Sequence, residues 1–253
     1  MEKKFDSNDQ YHSHDSISAS GLKYIAEYPI EKFLSKENVT TPAMALGSAT
    51  HEAIYQPQVF YKNYYPMPKL DLRYKENKIL KAEHEDKASG KTVIDEVDFN
   101  RIIEMMKKTN EHKLAKKYLN GIIEQSHYFK WGGVDCRCRP DCLEPVDKWI
   151  SDLKTIREIK HSSIPNEIYN RNYDLQAYAY CLWLDIPLEN FRFIFVETVA
   201  PYQVEVVALS EKQMEYGQRK FEEAFDKWSE YKKTGKTTGV RAKGFAPDGA
   251  KIL

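Results

Sequence analysis

CRCRPDCLEPVDKWISDLKT, residues 136–155, is the stretch on which the reading of this chain turns. It lies within two candidate strands, VDCRCRPDCLE (134–144) and KWISDLKT (148–155). Side chains alternate faces along a strand, so Asp152 and Lys154 point the same way with Leu153 between them. Antiparallel pairing of the two strands can bring Asp141 beside Asp152. Two carboxylates that close repel unless a cation lies between them, and oxygen ligands favour magnesium or manganese over zinc. Lys154 could then orient or deprotonate a water molecule, or stabilise a phosphorane-like transition state. A hairpin of solvated charges would carry the same D-x10-D-x-K spacing, so spacing alone leaves both readings open.

Working outward, IIEQSHYFKW (122–131) reads as a third strand, turned into 134–144 by Gly132-Gly133. A helix is expected from about Asn166 to Leu184, then strands FRFIFVETV (191–199) and QVEVVAL (203–209) joined at Ala200-Pro201-Tyr202. Ser210 caps a long amphipathic helix whose Met214, Phe221, Phe225 and Trp228 recur at helical spacing, with Lys232-Lys233 suited to its C-terminal dipole. Toward the N-terminus, Asp95 opens a helix through about Leu119, with Ile102, Met105, Met106 and Leu114 on its apolar side. Residues 58–94 read as an irregular connection with helix near Lys75–Lys87. Two further helices precede it. One runs from Ser18 to Ser35, capped by Ser18 or Ser20 and broken at Pro29; the other is capped by Thr41, starts at Pro42 and ends at Pro57.

This order predicts one α/β domain spanning 1–253, a mixed central sheet flanked by helices. Residues 95–234 form its core, 1–94 an added helical layer after a polar, mobile first dozen residues, and 235–253 a loop-like tail. The chain is 42% hydrophobic and 30% charged, ordinary for a globular protein and too apolar for disorder. No apolar run approaches the roughly 18 residues that span a bilayer, and the N-terminus lacks the apolar stretch of a secretory signal. A cytoplasmic protein without a membrane partner is expected. With 38 Lys plus Arg against 38 Asp plus Glu, net charge exerts no global pull on nucleic acid. Any DNA contact must rest on local charge. Cys136, Cys138 and Cys142 would share one face of a continuous strand, with Cys181 on a separate helix. Their spacing is not that of a zinc site, and they are expected to be reduced core residues rather than iron–sulfur ligands.

Other residues bear on the hairpin. Gly47 and His51 lie one turn apart in GSATH; a glycine inside a helix costs about 1 kcal/mol against alanine, so a close approach is expected there. His51 could offer an imidazole ligand or be structural. Gln176 and Tyr180 stand at i, i+4, either over a cleft or at the edge of a core.

The series GSATH, RPD, DLK and QxxxY, in that order, resembles the RecB-like branch of the PD-(D/E)xK nucleases. Within it the chain is most similar to RecE-type exonucleases (exonuclease VIII). The stretches LGSATHEAIYQP, SGKTVID, IIEQSHYFKW, CRCRPDCLEPVDKWISDLKT and YDLQAYAY carry the likeness, and ISASGLKYI also fits.

This resemblance implies a restriction-endonuclease-like core and a magnesium-dependent exodeoxyribonuclease, with manganese substituting. His51, Asp141 and Asp152 would ligate a metal with the Leu153 carbonyl, Glu124 on the first strand would help hold a second, and Lys154 would be catalytic. Gln176 and Tyr180 would orient the lysine, the water or the scissile phosphate. Arg73, Lys75 and Lys78 in LDLRYKENK are similar to a basic DNA-contacting segment, or form a solvated loop. By strand parity Arg137 and Arg139 share the face of Asp141, to meet phosphate or neutralise the acids. The chain has Gln56-Pro57 where the family usually has Glu-Pro. The resemblance further implies double-stranded DNA ends as substrate, degradation of one strand 5′ to 3′, a RecT-like single-strand annealing partner, and a homo-oligomeric ring, a tetramer. Another nuclease of the same fold, an endonuclease or a CRISPR-adaptation type, is the alternative, as is a non-catalytic DNA-binding scaffold.

Overall fold

The computed structural model describes residues 1–37, 39–237 and 239, with the backbone of 244–245 and 251–252. In chain order the first elements are β1 (Glu2–Lys4), α1 (Asn8–Ser13), β2 (Ile17–Ser18), α2 (Ala19–Glu27), α3 (Ile30–Leu34), α4 (Pro42–Tyr55) and α5 (Pro57–Asn63). There follow β3 (Tyr64–Met67), α6 (Lys75–Lys87), β4 (Thr92–Asp95), α7 (Glu96–Glu111) and α8 (Lys113–Lys117). The central part holds β5 (Ile122–Ile123), β6 (Ser126–Trp131), β7 (Val134–Cys138), β8 (Cys142–Glu144) and β9 (Trp149–Ile156). Last come α9 (Ser163–Asn170), α10 (Tyr173–Leu184), β10 (Phe191–Glu197), β11 (Val204–Val207), α11 (Glu211–Thr234), β12 (Gly244–Phe245) and β13 (Lys251–Ile252).

The caps act as the sequence suggests. Thr41 accepts the Met44 N–H ahead of Pro42, Asp95 accepts that of Val97, and Ser210 closes a capping box with Gln213. Leu114 departs from expectation and is 44% exposed. The helix breaks at His112, whose imidazole caps α8 by accepting the Ala115 N–H at 3.1 Å, and this turns Leu114 off the apolar stripe.

The mixed sheet has the order β11-β10-β9-β8-β5, with β9 and β10 parallel and the other pairs antiparallel. The β10 run shows why it is central: Phe191, Phe193 and Phe195 enter one core, Ile194 and Val196 the other. A strand buried on both faces reads as continuous apolar sequence. Beneath the phenylalanines lie residues of α2, α10 and α11, including Leu22, Leu175 and Phe221; over the other face lie Ala49 and Ala53 of α4 and Ile102 and Met105 of α7.

Two expected strands are each interrupted. Residues 122–131 split into β5 and β6, and 134–144 into β7 and β8, so β6 and β7 form a second sheet, ordered β1-β6-β7-β2. Gly132 and Gly133, both at positive φ, make the turn between them. Pro140 sits at the break of the second strand and has no N–H for a ladder. Cys142 therefore does not share a face with Cys136 and Cys138; it packs in the opposite core. All four cysteines are buried with free thiols, and burial pushes Cys136, Cys142 and Cys181 up to about 12.

Residues 1–94 are mainly helical, yet β1 and β2 complete the second sheet, and β3 and β4 pair in parallel where an irregular connection was expected. In the tail, β12 and β13 pair antiparallel, where a loop was expected; most other residues of 235–253 lie outside the described ones. Among the described residues no helix is long and apolar enough to cross a membrane.

Candidate active site

The hairpin of β8 and β9 pairs Cys142 with Ser151, Leu143 with Ile150 and Glu144 with Trp149. Continued by one residue, this register sets Asp141 across from Asp152. Asp141 Oδ2 accepts the backbone N–H of Leu153 at 2.7 Å, which ties the acid to the middle of β9. The Asp141 carbonyl accepts the Glu124 N–H at 3.2 Å. Glu124 is not on a strand: it occupies the gap between β5 and β6 with φ of 49°.

α4 delivers His51 between these acids. Its Nε2 lies 3.1 Å from Asp141 Oδ2 and its Nδ1 3.4 Å from Glu124 Oε1. Gln56, following the same helix, donates to Glu124 Oε2 at 3.3 Å, and the Tyr55 ring stands 4.7 Å from the imidazole. Burial works against a charged imidazole, but Asp141, then Glu124 and Asp152, outweigh it and hold His51 above its usual range. Burial likewise opposes ionised Asp141, yet His51 and Lys154 keep it below the usual carboxylate range. Asp152 goes the other way: burial and the neighbouring Asp141 raise it against Lys154. The environment pushes the two acids apart.

Asp152 and Lys154 face α10, as alternation requires. Asp152 is 1% exposed; its Oδ1 pairs with the Lys154 ammonium and its Oδ2 accepts from Gln176 Nε2 at 2.5 Å. Burial disfavours the Lys154 charge, but Asp152 and Asp141 hold its pKa above the ordinary lysine value. It is an ammonium here, suited to stabilising negative charge rather than removing a proton.

Sequence reasoning missed two neighbours. Lys23 of α2 donates to Gln176 Oε1 at 2.8 Å, and the Tyr173 ring lies 4.7 Å from Lys154 and 4.9 Å from Lys23. The apolar stripe of α2 was legible, but nothing in its spacing says that Lys23 reaches α10.

A divalent cation fits the donor set: one imidazole nitrogen, the carboxylates of Asp141 and Asp152, Glu124 beside them, and the backbone of Leu153 between. His51 Nε2 and Asp152 Oδ1 are buried atoms without a well-formed hydrogen bond, both in this cluster. Among the described residues no three His, Cys, Asp or Glu already surround a common point. The imidazole and ammonium instead supply the positive charge that the acids require.

The remaining candidates are elsewhere engaged. Tyr180 is buried and its hydroxyl donates to the Arg139 carbonyl at 3.3 Å, bracing the strand that leads into Asp141 rather than touching Lys154. Arg137 is buried and donates to the carbonyls of His14 and Ser16; Arg139 donates to Asn8 and lies 4.4 Å from the Tyr11 ring. Both hold the N-terminal segment and not the acids. The break at Pro140 interrupts the alternation on which their shared face with Asp141 depended. Arg73 pairs with Asp71 through Nε at 3.0 Å, and exposed Lys75 and Lys78 stand in the first turn of α6, none bonded to the cluster among the described residues. A cavity of about 670 Å³ beside β11, lined by Ile159, His161, Ile164, Gln203 and Glu205, includes none of the cluster. Shape and chemistry disagree there, and the chemistry is the guide: convergent buried ionisable groups carry more specific information than an open depression.

The model of the family described as PDDEXK-like domain of unknown function (DUF3799) matches residues 18–240. Among solved structures, a crystal structure named "Putative exonuclease" from Eubacterium rectale superposes with a TM-score of 0.62 at 14% identity, over 95% of this chain and 96% of that one. A second, of SSO0001, has a TM-score of 0.34 at 12% identity over 86% and 81%, and carries no weight here. Among curated proteins none matches. The first superposition extends over nearly the whole of both chains, so it concerns the fold described above and not a fragment of it.

Proposed function

Because the chain belongs to the DUF3799 family of PDDEXK-like domains, within the PD-(D/E)xK nuclease superfamily, we propose that it is a magnesium-dependent exonuclease of duplex DNA. The carrying observation is the opposition of Asp141 and Asp152 across the β8–β9 register, with Lys154 beside Asp152 and His51 against Asp141. His51, Asp141, Asp152 and the Leu153 carbonyl would hold one divalent cation and Glu124 would help hold a second. Bound there, such a cation supplies Lewis acidity and a water of lowered pKa.

The chain's own groups do the rest. Asp141, fastened by the Leu153 N–H, and Asp152, fastened by Gln176, are pre-positioned and need no rearrangement of the strand. Lys154, held protonated, presents an ammonium to the phosphate oxygens as negative charge grows in the transition state. His51 must give up its proton to act as a ligand.

The RecE-type likeness supports action at an end: removal of one strand, 5′ to 3′, by a tetrameric ring that threads the duplex and hands single strands to an annealing protein. The Eubacterium rectale neighbour is named an exonuclease, which supports action at an end and nothing finer. Arg73, Lys75 and Lys78 are the candidates for backbone contact, which needs no base readout. Linear and covalently closed circular duplex incubated with magnesium separate the possibilities. Linear DNA should be consumed from its ends to long single strands and acid-soluble nucleotides, while circles survive. Circles cut as fast as linear DNA would make the protein an endonuclease of the same fold.

A further inference from the structure

Resting on the nuclease reading above, we propose that Lys23 is a second phosphate-binding lysine of the active site, placed beside Lys154 to hold a phosphate of the strand being cut. The two ammoniums come from elements more than a hundred residues apart and meet on one ring: Lys154 lies 4.7 Å and Lys23 4.9 Å from the centre of Tyr173.

An ammonium has three donors. The hydrogen bond recorded for Lys23 is the one to Gln176 Oε1, at 2.8 Å, and no carboxylate lies within ion-pair distance of it among the described residues. That bond is informative about direction. As an ammonium Lys23 can only donate, so the Gln176 oxygen faces Lys23 and its amide nitrogen faces Asp152, which can only accept when ionised. Lys23, Gln176, Asp152 and Lys154 thus form one chain of fixed polarity around the acid.

Half-buried cations without a counter-ion are costly, and the surroundings register that cost. Burial, then the charge of Lys154, push Lys23 down to about 7, against the pull of Asp152 and Asp141. An incoming phosphate would supply the missing anion and use the unclaimed donors. Seating α2 does not require the residue. The buried positions of α2, Ala19, Gly21, Leu22 and Ile25, already seat the helix, and a neutral side chain of the same length would fill the same space.

The test compares wild type, Lys23→Met and Lys23→Arg on linear duplex with magnesium, by kcat/KM, the salt dependence of duplex binding, and thermal unfolding. Lys23→Met should lower kcat/KM by on the order of 100-fold, the scale of losing one charge-stabilising donor, while unfolding at the wild-type temperature or above. Its plot of log affinity against log salt should flatten by about one phosphate contact, and Lys23→Arg should recover most of both. A Met variant with wild-type kcat/KM and salt slope overturns the proposal and leaves the nuclease reading intact. So does a Met variant whose activity and unfolding temperature fall together without recovery in Lys23→Arg. A wild type that hydrolyses no DNA removes the nuclease reading and this inference with it.

Discussion

Lys154 and Asp152 show how much a single register position can carry. Both sit on one face of β9 against α10, where Asp152 is buried and, with Asp141, holds the Lys154 ammonium charged. Lys154→Ala should reduce single-turnover cleavage by about 10²- to 10³-fold, with duplex binding kept; cleavage at the wild-type rate by a folded variant would dismiss this site. Removing one partner of a buried pair costs about 3 kcal/mol, so the same variant should also unfold at lower denaturant when no divalent cation is present. A different titration is legible at His127, which is 1% exposed in the chain's other sheet. Burial, helped by Lys3, pushes its pKa down to about 4. The unfolded chain protonates near 6.5 and so binds the extra proton throughout the window between. Stability therefore rises with pH from about 4 to 6.5 and is lost on acidification through that range, by about 3 kcal/mol if the whole shift is realised. Denaturant titrations at pH 4.5 and 7 should differ less for His127→Gln than for wild type, and equal differences would contradict the assignment.

At the scale of elements, two glycines that look alike in sequence have opposite roles. Gly217 lies in α11 where that helix crosses the start of α10, and a methyl group there would come within 2.3 Å of the Asp174 carbonyl oxygen. The crossing is further fastened by Lys220, which donates to Asp174 Oδ2 at 2.8 Å. Gly47 was expected to mark a close approach. Among the described residues, Thr155 Oγ1 is what an added methyl would meet, at 3.4 Å, and this is ordinary contact. Gly217→Ala should therefore destabilise by about 1–3 kcal/mol through overpacking, whereas Gly47→Ala should stabilise by about 0.5–1 kcal/mol through helix propensity. Denaturant midpoints of the pair decide it, and a destabilised Gly47→Ala would mean that α4 and β9 pack more tightly than the geometry says. The starts of α2, α4, α7 and α11 were readable because caps act locally through one side chain and a nearby N–H. The single helix expected over 166–184 instead breaks into α9 and α10 at Asn172, at φ of 52°, without a side-chain cap. The interrupted strands were not readable, because where a ladder stops depends on which strand arrives from elsewhere. β1 and β2 come from the first 18 residues to claim β6 and β7.

For the whole molecule, the cluster sets three carboxylates, Asp152 buried and Asp141 and Glu124 partly exposed, against His51 and Lys154, and a divalent ion should bind the folded form far better than the unfolded. Magnesium or manganese should raise the unfolding temperature in a concentration-dependent way. Asp141→Asn should abolish most of that rise, since a neutral amide is a poor ligand for a hard cation. An undiminished rise in that variant would place the ion elsewhere. The sequence by itself determined the mixed α/β class, the caps, the apolar faces of α7 and α11, and the meeting of Asp141, Asp152 and Lys154, because each follows from a periodicity or a short hairpin. Contacts across long loops were settled by the tertiary structure alone. It carried Glu124 into a left-handed gap beside His51, turned Arg137, Arg139 and Tyr180 to bracing the N-terminal segment and the approach to Asp141, and set Lys23 of α2 against Gln176. Alternation and helical spacing describe which way a side chain leaves its own element; what it meets is determined by the element packed opposite, which no local pattern encodes.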